Sequence, residues 1–215
     1  MSKLEDLSRA VETGKAKLVP GLVQEALEEG HDPAVVLNVG MIGAMDRVGA
    51  KFKSGEIFVP EMMVAARAMK NGVEILKPHL AGDGSAYIGK FVMGTVYGDL
   101  HDIGKNLVIM MVEASGFEVR DLGIDVPVAD FVEAVENDPE VKIVGVSALL
   151  TTTMPAMQET VEALNRSPAR SRFKVMVGGA PVTAAFAEEI GADAYTADAA
   201  EAAQRAKELL GELAE

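Results

Sequence analysis

The chain has no cysteine. That excludes disulfides, iron–sulfur clusters, zinc–thiolate sites and a thiol nucleophile. Tryptophan is absent too, and aromatics are 5% of the 215 residues against 49% hydrophobic residues in all. The core must be built from Ala, Val, Leu, Ile and Met. Twelve methionines are on hand to fill irregular apolar space. Positive charge is also scarce: 20 Lys and Arg face 33 Asp and Glu, for a formal net charge of -13. That balance argues against non-specific nucleic-acid binding and against docking on anionic membranes. No apolar run reaches transmembrane length, and the N-terminal "MSKLEDLSRAVETG" has no signal-peptide core. A cytoplasmic protein is the expectation.

What is present falls into two rhythms. Residues 1 to about 77 carry helical periodicity throughout. "DPAVVLNVGMIGAMDRVGAKFKSG" opens with Asp32 as cap and Pro33 in the first turn, and stops at Gly55. Met41, Met45, Val48 and Phe52 form one apolar stripe. Met62, Ala66, Met69, Val73 and Leu76 form another, on a helix expected to stop before Pro78. Four such helices predict a small bundle. "PHLAGDGSAYIGK", residues 78–90, reads as a linker. The division is therefore a helical domain over 1–88, linker included, and a second domain over 89–215. In the second, strands at "KFVMGTVY", "EVRDLG", "VKIVGVSAL", "KVMVGG" and "DAYTA" alternate with helices. The pattern predicts an α/β domain with a flavodoxin-like, five-stranded parallel sheet.

Ligands in such sheets lie beyond the carboxyl ends of the strands. Those ends carry Gly98-Asp99-Leu100-His101-Asp102, Ser147-Ala148-Leu149 leading to Thr151, Gly178-Gly179, and the approach to Ala199. The G-x-G-x-x-G and P-loop patterns are missing, which excludes the usual dinucleotide and triphosphate cradles. Asp99 and His101 can act as one unit. A carboxylate that accepts the hydrogen bond of one imidazole N–H fixes the tautomer and frees the other nitrogen for a metal. Ser147 is placed to bond the same carboxylate. One His is a poor site for a bare ion, but suffices for a metal that arrives inside a macrocycle. Gly104, Gly178 and Gly179 would then leave room for a bulky ligand's tail. The residues alone leave a plainer reading open: a His that only caps a helix-start turn, with Asp99 favoured by the helix dipole and Gly178-Gly179 a simple turn.

Three motifs carry a resemblance. "DLHDIG" matches the D-x-H-x-x-G signature of cobalamin-binding domains, "SALLT" resembles their S-x-L segment, and "GGAPV" their glycine pair. "VGAKFKSGEIFVPEMMVAARAMK" is similar to the helical cap of the same proteins. The chain thus resembles the corrinoid proteins of methanol, methylamine and methoxyl-compound methyltransferase systems, and the cobalamin module of methionine synthase. The resemblance implies cobalamin with His101 as lower axial cobalt ligand, and Asp99 and Ser147 as a relay behind it. It implies that Gly98, Asp102, Gly104, Leu149, Thr151, Gly178, Gly179 and Ala199 bind the cofactor. It places Phe52 and Val59, with Phe58 and Met63, in the cap over the methyl group. Members often carry Leu at the Val59 position.

By the same resemblance the chain is a methyl carrier without catalysis of its own. Its implied partners are a substrate:corrinoid methyltransferase, a methylcorrinoid:tetrahydrofolate or coenzyme M methyltransferase, and a reductive activator. A cobalamin-dependent sensor or regulatory module is the alternative. The cobalamin subunit of a carbon-skeleton mutase is a third reading, but such subunits generally lack the cap.

Overall fold

The computed structural model describes residues 3–80 and 87–213. The chain divides into two compact units. One runs to Ile88 and includes Glu113–Gly116; the other is Gly89–Val112 with Phe117–Glu215.

The first unit is helical: α1 (Lys3–Glu12), α2 (Val19–Glu28), α3 (Pro33–Val35), α4 (Gly43–Ser54) and α5 (Val59–Leu80). Its start and stop signals act as the sequence predicts. The Asp32 carboxylate accepts the Ala34 N–H at 2.8 Å, and Gly55 closes α4 in the left-handed conformation, at φ 77°. Met41, Met45 and Val48 are buried, as are Met62, Ala66, Met69, Val73 and Leu76, while Phe52 is only half-buried. Two features differ from expectation. Between α3 and α4 the helix widens into a π-helical stretch, Val36–Ile42. The wider turn brings residues about five apart onto one face, and Val36-Leu37 and Met41-Ile42 are both buried. The last helix also does not stop before Pro78; it runs through it to Leu80. Leu76 and Leu80, four apart and both buried, carry the apolar stripe across the proline. The expected linker is thereby shortened, since β1 begins at Lys90. Its residues 81–86 lie outside the described residues.

The second unit alternates β1 (Lys90–Val96), α6 (Ile103–Ala114), β2 (Glu118–Val126), α7 (Val128–Glu136), β3 (Val141–Ser147), α8 (Met154–Arg166), β4 (Lys174–Gly178), α9 (Ala184–Glu189), β5 (Ala194–Tyr195) and α10 (Ala199–Glu212). The sheet is wholly parallel in the order β2-β1-β3-β4-β5. That is the flavodoxin-like, Rossmann-like order, whose direction reverses beside β1. Strands covered on both faces read as unbroken apolar runs, and Phe91–Val96 are all buried. Strand β2 outlasts the predicted "EVRDLG" by three residues. Its register against β1 slips between Met93 and Gly94 and again between Gly94 and Val96, so the pattern breaks at Gly123 although the pairing continues.

Candidate functional site

The loop after β1 opens at the switch point, and Asp99 is its anchor. Asp99 is fully buried, and every acceptor position faces a donor. Its Oδ1 takes the His101 ring Nδ1 at 2.7 Å and the His101 backbone N–H at 3.1 Å. Its Oδ2 takes the Leu149 N–H at 2.7 Å, the Leu150 N–H at 3.3 Å and the Thr153 hydroxyl at 2.8 Å. Burial pushes this carboxyl's pKa up. The Leu149 N–H, the His101 ring and the Thr153 hydroxyl outweigh burial and hold it well below the usual carboxylate range. Asp99 is therefore a carboxylate, an acceptor only. The Nδ1 of His101 must carry the proton, which leaves Nε2 with a lone pair in the neutral ring. The ring is 48% exposed, and its backbone carbonyl is held by the Thr95 hydroxyl at 2.9 Å.

The surroundings are unusual for a water-facing loop. Tyr97, Leu100, Ile103, Ile124, Leu149 and Leu150 are all exposed. Large apolar side chains grouped at a loop edge mark a binding surface. Asp102 and Gly104, at the start of α6, are exposed too, and a Cβ on Gly104 would meet nothing within 4 Å. Among the described residues, no group of three His, Cys, Asp or Glu could hold a bare metal ion. The donor set therefore suits a metal that brings its other ligands with it, and the exposed apolar rim suits a large flat partner.

The family described as "B12 binding domain" matches residues 89–206, and a second family of the same description matches residues 3–77. The chain is 44% identical over 208 residues to the "Dimethylamine corrinoid protein 1" of Methanosarcina acetivorans, covering 96% of this chain and 97% of that one. It belongs to the corrinoid proteins of methyltransferase systems. Its cofactor is a corrinoid. Two solved structures resemble it along its whole length. A cobalamin-binding protein from Desulfitobacterium hafniense DCB-2 has a TM-score of 0.78 at 34% identity, covering 96% of this chain and 98% of that one. The methanol:cobalamin methyltransferase complex from Methanosarcina barkeri contains a chain with a TM-score of 0.85 at 30% identity, covering 97% of this chain and 80% of that one.

The fold of this corrinoid protein brings most of the residues singled out in the sequence to one edge of the sheet. Gly98 adopts φ 80° and gives its N–H to Asp125 Oδ1. Leu149 serves through its N–H. Thr151 is exposed at the start of the short 3₁₀ turn Thr151–Thr153. Ala199 begins α10, behind the Asp198 cap, and is half-buried. Ser147 is the exception in role: it is not among the partners of Asp99. It ends β3 in register with Thr95 and Gly178. The chain passes two residues further before its N–H groups, and then Thr153, reach the carboxylate. The glycine pair also has a purpose other than making room. A Cβ on Gly179, which sits at φ 132°, would lie 1.8 Å from the Ala148 carbonyl oxygen; one on Gly178 would lie 3.1 Å from that of Thr196. In the helical unit, Phe52 and Val59 are half-buried while Phe58 and Met63 are exposed.

Four contributors escape sequence reasoning: Thr95, Thr153, Asp125 and Lys105. Nothing local separates Thr153 from Thr151 and Thr152. Lys105 reads as a surface residue of α6, yet its side chain is 1% exposed and its Nζ lies 2.7 Å from Asp121 Oδ2 and 2.8 Å from Asn106 Oδ1.

Proposed function

We propose that this chain carries a methyl group on cobalt, receiving it from a substrate-specific methyltransferase and passing it to a second methyltransferase acting on tetrahydrofolate or coenzyme M. The Asp99–His101 pair carries this reading: a buried carboxylate that commits Nδ1 and leaves Nε2 for the metal. When bound, the corrinoid supplies a cobalt that accepts and releases a methyl group. The residues of the chain bind and orient. His101 Nε2 would hold the cobalt; Asp99 holds the Nδ1 proton and the ring orientation; Thr153 takes the position behind the carboxylate that the sequence assigns to Ser147. Gly98, Asp102, Gly104, Ser147, Leu149, Thr151, Gly178, Gly179 and Ala199 bind the cofactor within the 89–215 domain. Phe52 and Val59, with Phe58 and Met63, are the apolar shield contributed by the 1–88 domain. No helix among the described residues is long and apolar enough to cross a membrane. In this reading the chain works in the cytoplasm and is served by a reductive activator. The known assembly of a relative with a methyltransferase, in the methanol:cobalamin complex, supports the partner class.

Electron paramagnetic resonance of the Co(II) form tests the ligand. Nitrogen splitting in the wild type that vanishes in His101→Ala supports it; an unchanged nitrogen signal in the variant overturns it. Demethylation of the methyl form by a methyltransferase fraction tests the carrier role. A protein that prefers adenosylcobalamin, and whose methyl form no such fraction demethylates, is a sensor instead.

A further inference from the structure

Among the described residues, Asp125 is the one non-glycine residue with positive φ, at 54°. Left-handed backbone is unfavourable for any side chain, and is borne best by Asn and Asp. Such a conformation persists when its surroundings hold it in place. The surroundings are here specific. Asp125 ends the irregular part of β2, opposite the point where the register against β1 slips between Gly94 and Val96. Its Oδ1 accepts the Gly98 N–H at 2.7 Å, and its own N–H donates to the Asp99 carbonyl at 3.0 Å. One residue of the edge strand thus grips both ends of the Gly98-Asp99 unit. The Asp99 side chain is fixed separately, from the β3 side, by Leu149 and Thr153.

We propose that Asp125 is a positioning residue for the axial-ligand loop, holding the Gly98-Asp99 backbone so that the His101 ring is set before the cofactor arrives. The inference rests on the reading of His101 as the cobalt ligand. Asp125 itself touches no cofactor in this role; it acts through Asp99. The carboxylate and the backbone N–H of one strained residue make a clamp whose side-chain half can be removed while the backbone half stays. Asp125→Asn keeps both an acceptor oxygen and tolerance of positive φ. Asp125→Gly removes the acceptor and relieves the backbone. Asp125→Ala removes the acceptor and leaves the backbone strained.

Two measurements on the full chain decide the matter. In the apo protein, amide hydrogen exchange is followed at Gly98. In the cobalamin-loaded protein, paramagnetic resonance of Co(II) gives the fraction with axial nitrogen. Asp125→Asn should match the wild type in both. Asp125→Gly should speed Gly98 exchange at least tenfold and lower the nitrogen-ligated fraction, while unfolding no more easily than Asp125→Ala. A loss of ligation without the larger loss of stability is what a purely structural residue would not give. Unchanged exchange in Asp125→Gly overturns the clamp. Faster exchange with an unchanged nitrogen-ligated fraction overturns the positioning role. If wild type and His101→Ala give the same resonance, the ligand assignment fails instead, and the apo exchange still reports on the clamp by itself.

Discussion

Thr153 donates its hydroxyl to Asp99 Oδ2 at 2.8 Å, across 54 residues of sequence. The same oxygen takes the Leu149 N–H, so Thr153 completes the donor set of a carboxylate with no access to water. Removing a donor to a buried charge costs about 1.5–3 kcal/mol. Thr153→Val, nearly equal in shape, should destabilise the apo protein by about that much in urea denaturation and broaden the distribution of axial ligation in the Co(II) spectrum. Thr153→Ser should restore both. Equal stability of the Val variant and the wild type would remove Thr153 from the site.

Gly179 tests the backbone rather than the polar network. Any Cβ there would collide with the Ala148 carbonyl oxygen at 1.8 Å, next to a hydrogen bond from the Ala148 N–H to the Gly178 carbonyl at 3.2 Å. Overpacking against backbone combined with an unfavourable φ costs about 2–4 kcal/mol. Gly179→Ala should lose that much stability. Gly104→Ala, where a Cβ meets open space, should lose none in the apo protein. If Gly104 serves the cofactor, its Ala variant should instead bind cobalamin more weakly in an equilibrium titration.

Glu12 links α1 to α4. Its Oε1 takes Lys51 Nζ at 2.5 Å and its Oε2 takes Arg47 Nε at 3.1 Å. The Lys51 hydrogen bond lowers the Glu12 pKa; burial opposes it, and Arg47 adds to the lowering. A depressed folded-state pKa gives stability above the ordinary glutamate value near 4.3, and that stability is lost as pH falls towards the folded value. Glu12→Gln should therefore cost roughly 0.5–1 kcal/mol at neutral pH and progressively less as pH falls below the ordinary glutamate range towards the lowered folded value. A gap between wild type and variant that widens on acidification would contradict the sign.

Phe52 is proposed to shield the cobalt-bound methyl group. Phe52→Ala should make the methyl form more sensitive to light, read as a faster loss of its absorption spectrum under fixed illumination. Its nitrogen ligation should remain intact, since His101 belongs to the other unit. Identical photolysis rates would take Phe52 out of the shield.

The Asp99–His101 pair was legible in the sequence because its two members are two residues apart, and a turn after a strand puts them together whatever else the chain does. The strands were legible because parallel strands buried on both faces carry unbroken apolar runs. What escaped depends on distant parts of the chain. Ser147 stands at the right strand end by sequence, yet register directs Leu149 and Thr153 to the carboxylate. Asp125 looks like an ordinary surface acid by sequence; its φ of 54° and its hydrogen bond from the Gly98 N–H set it apart only in the fold. Lys105 is hidden by its own type, since lysines are seldom buried without a partner; its partner, Asp121, lies on β2, beyond the end of its own helix. Pro78 is a stop signal by sequence, but the buried Leu76 and Leu80 on either side of it outweigh the missing backbone donor.

The wide span of the Asp99 contacts also bears on the order of events during synthesis. Its Oδ2 donors lie 50, 51 and 54 residues downstream. Contacts that far apart form late, because the chain between them must first be closed into a loop. A nascent chain that has made β1 and α6 but not β3 already displays the D-x-H-x-x-G string. It has His101 for one carboxylate oxygen, but nothing yet for the other. The carboxylate gains its full donor set only once β3 has paired with β1 and the Thr151–Thr153 turn has formed. Cofactor capture is thus deferred until the sheet is past its midpoint, and a ribosome-bound fragment ending before residue 153 should not retain cobalamin through its histidine.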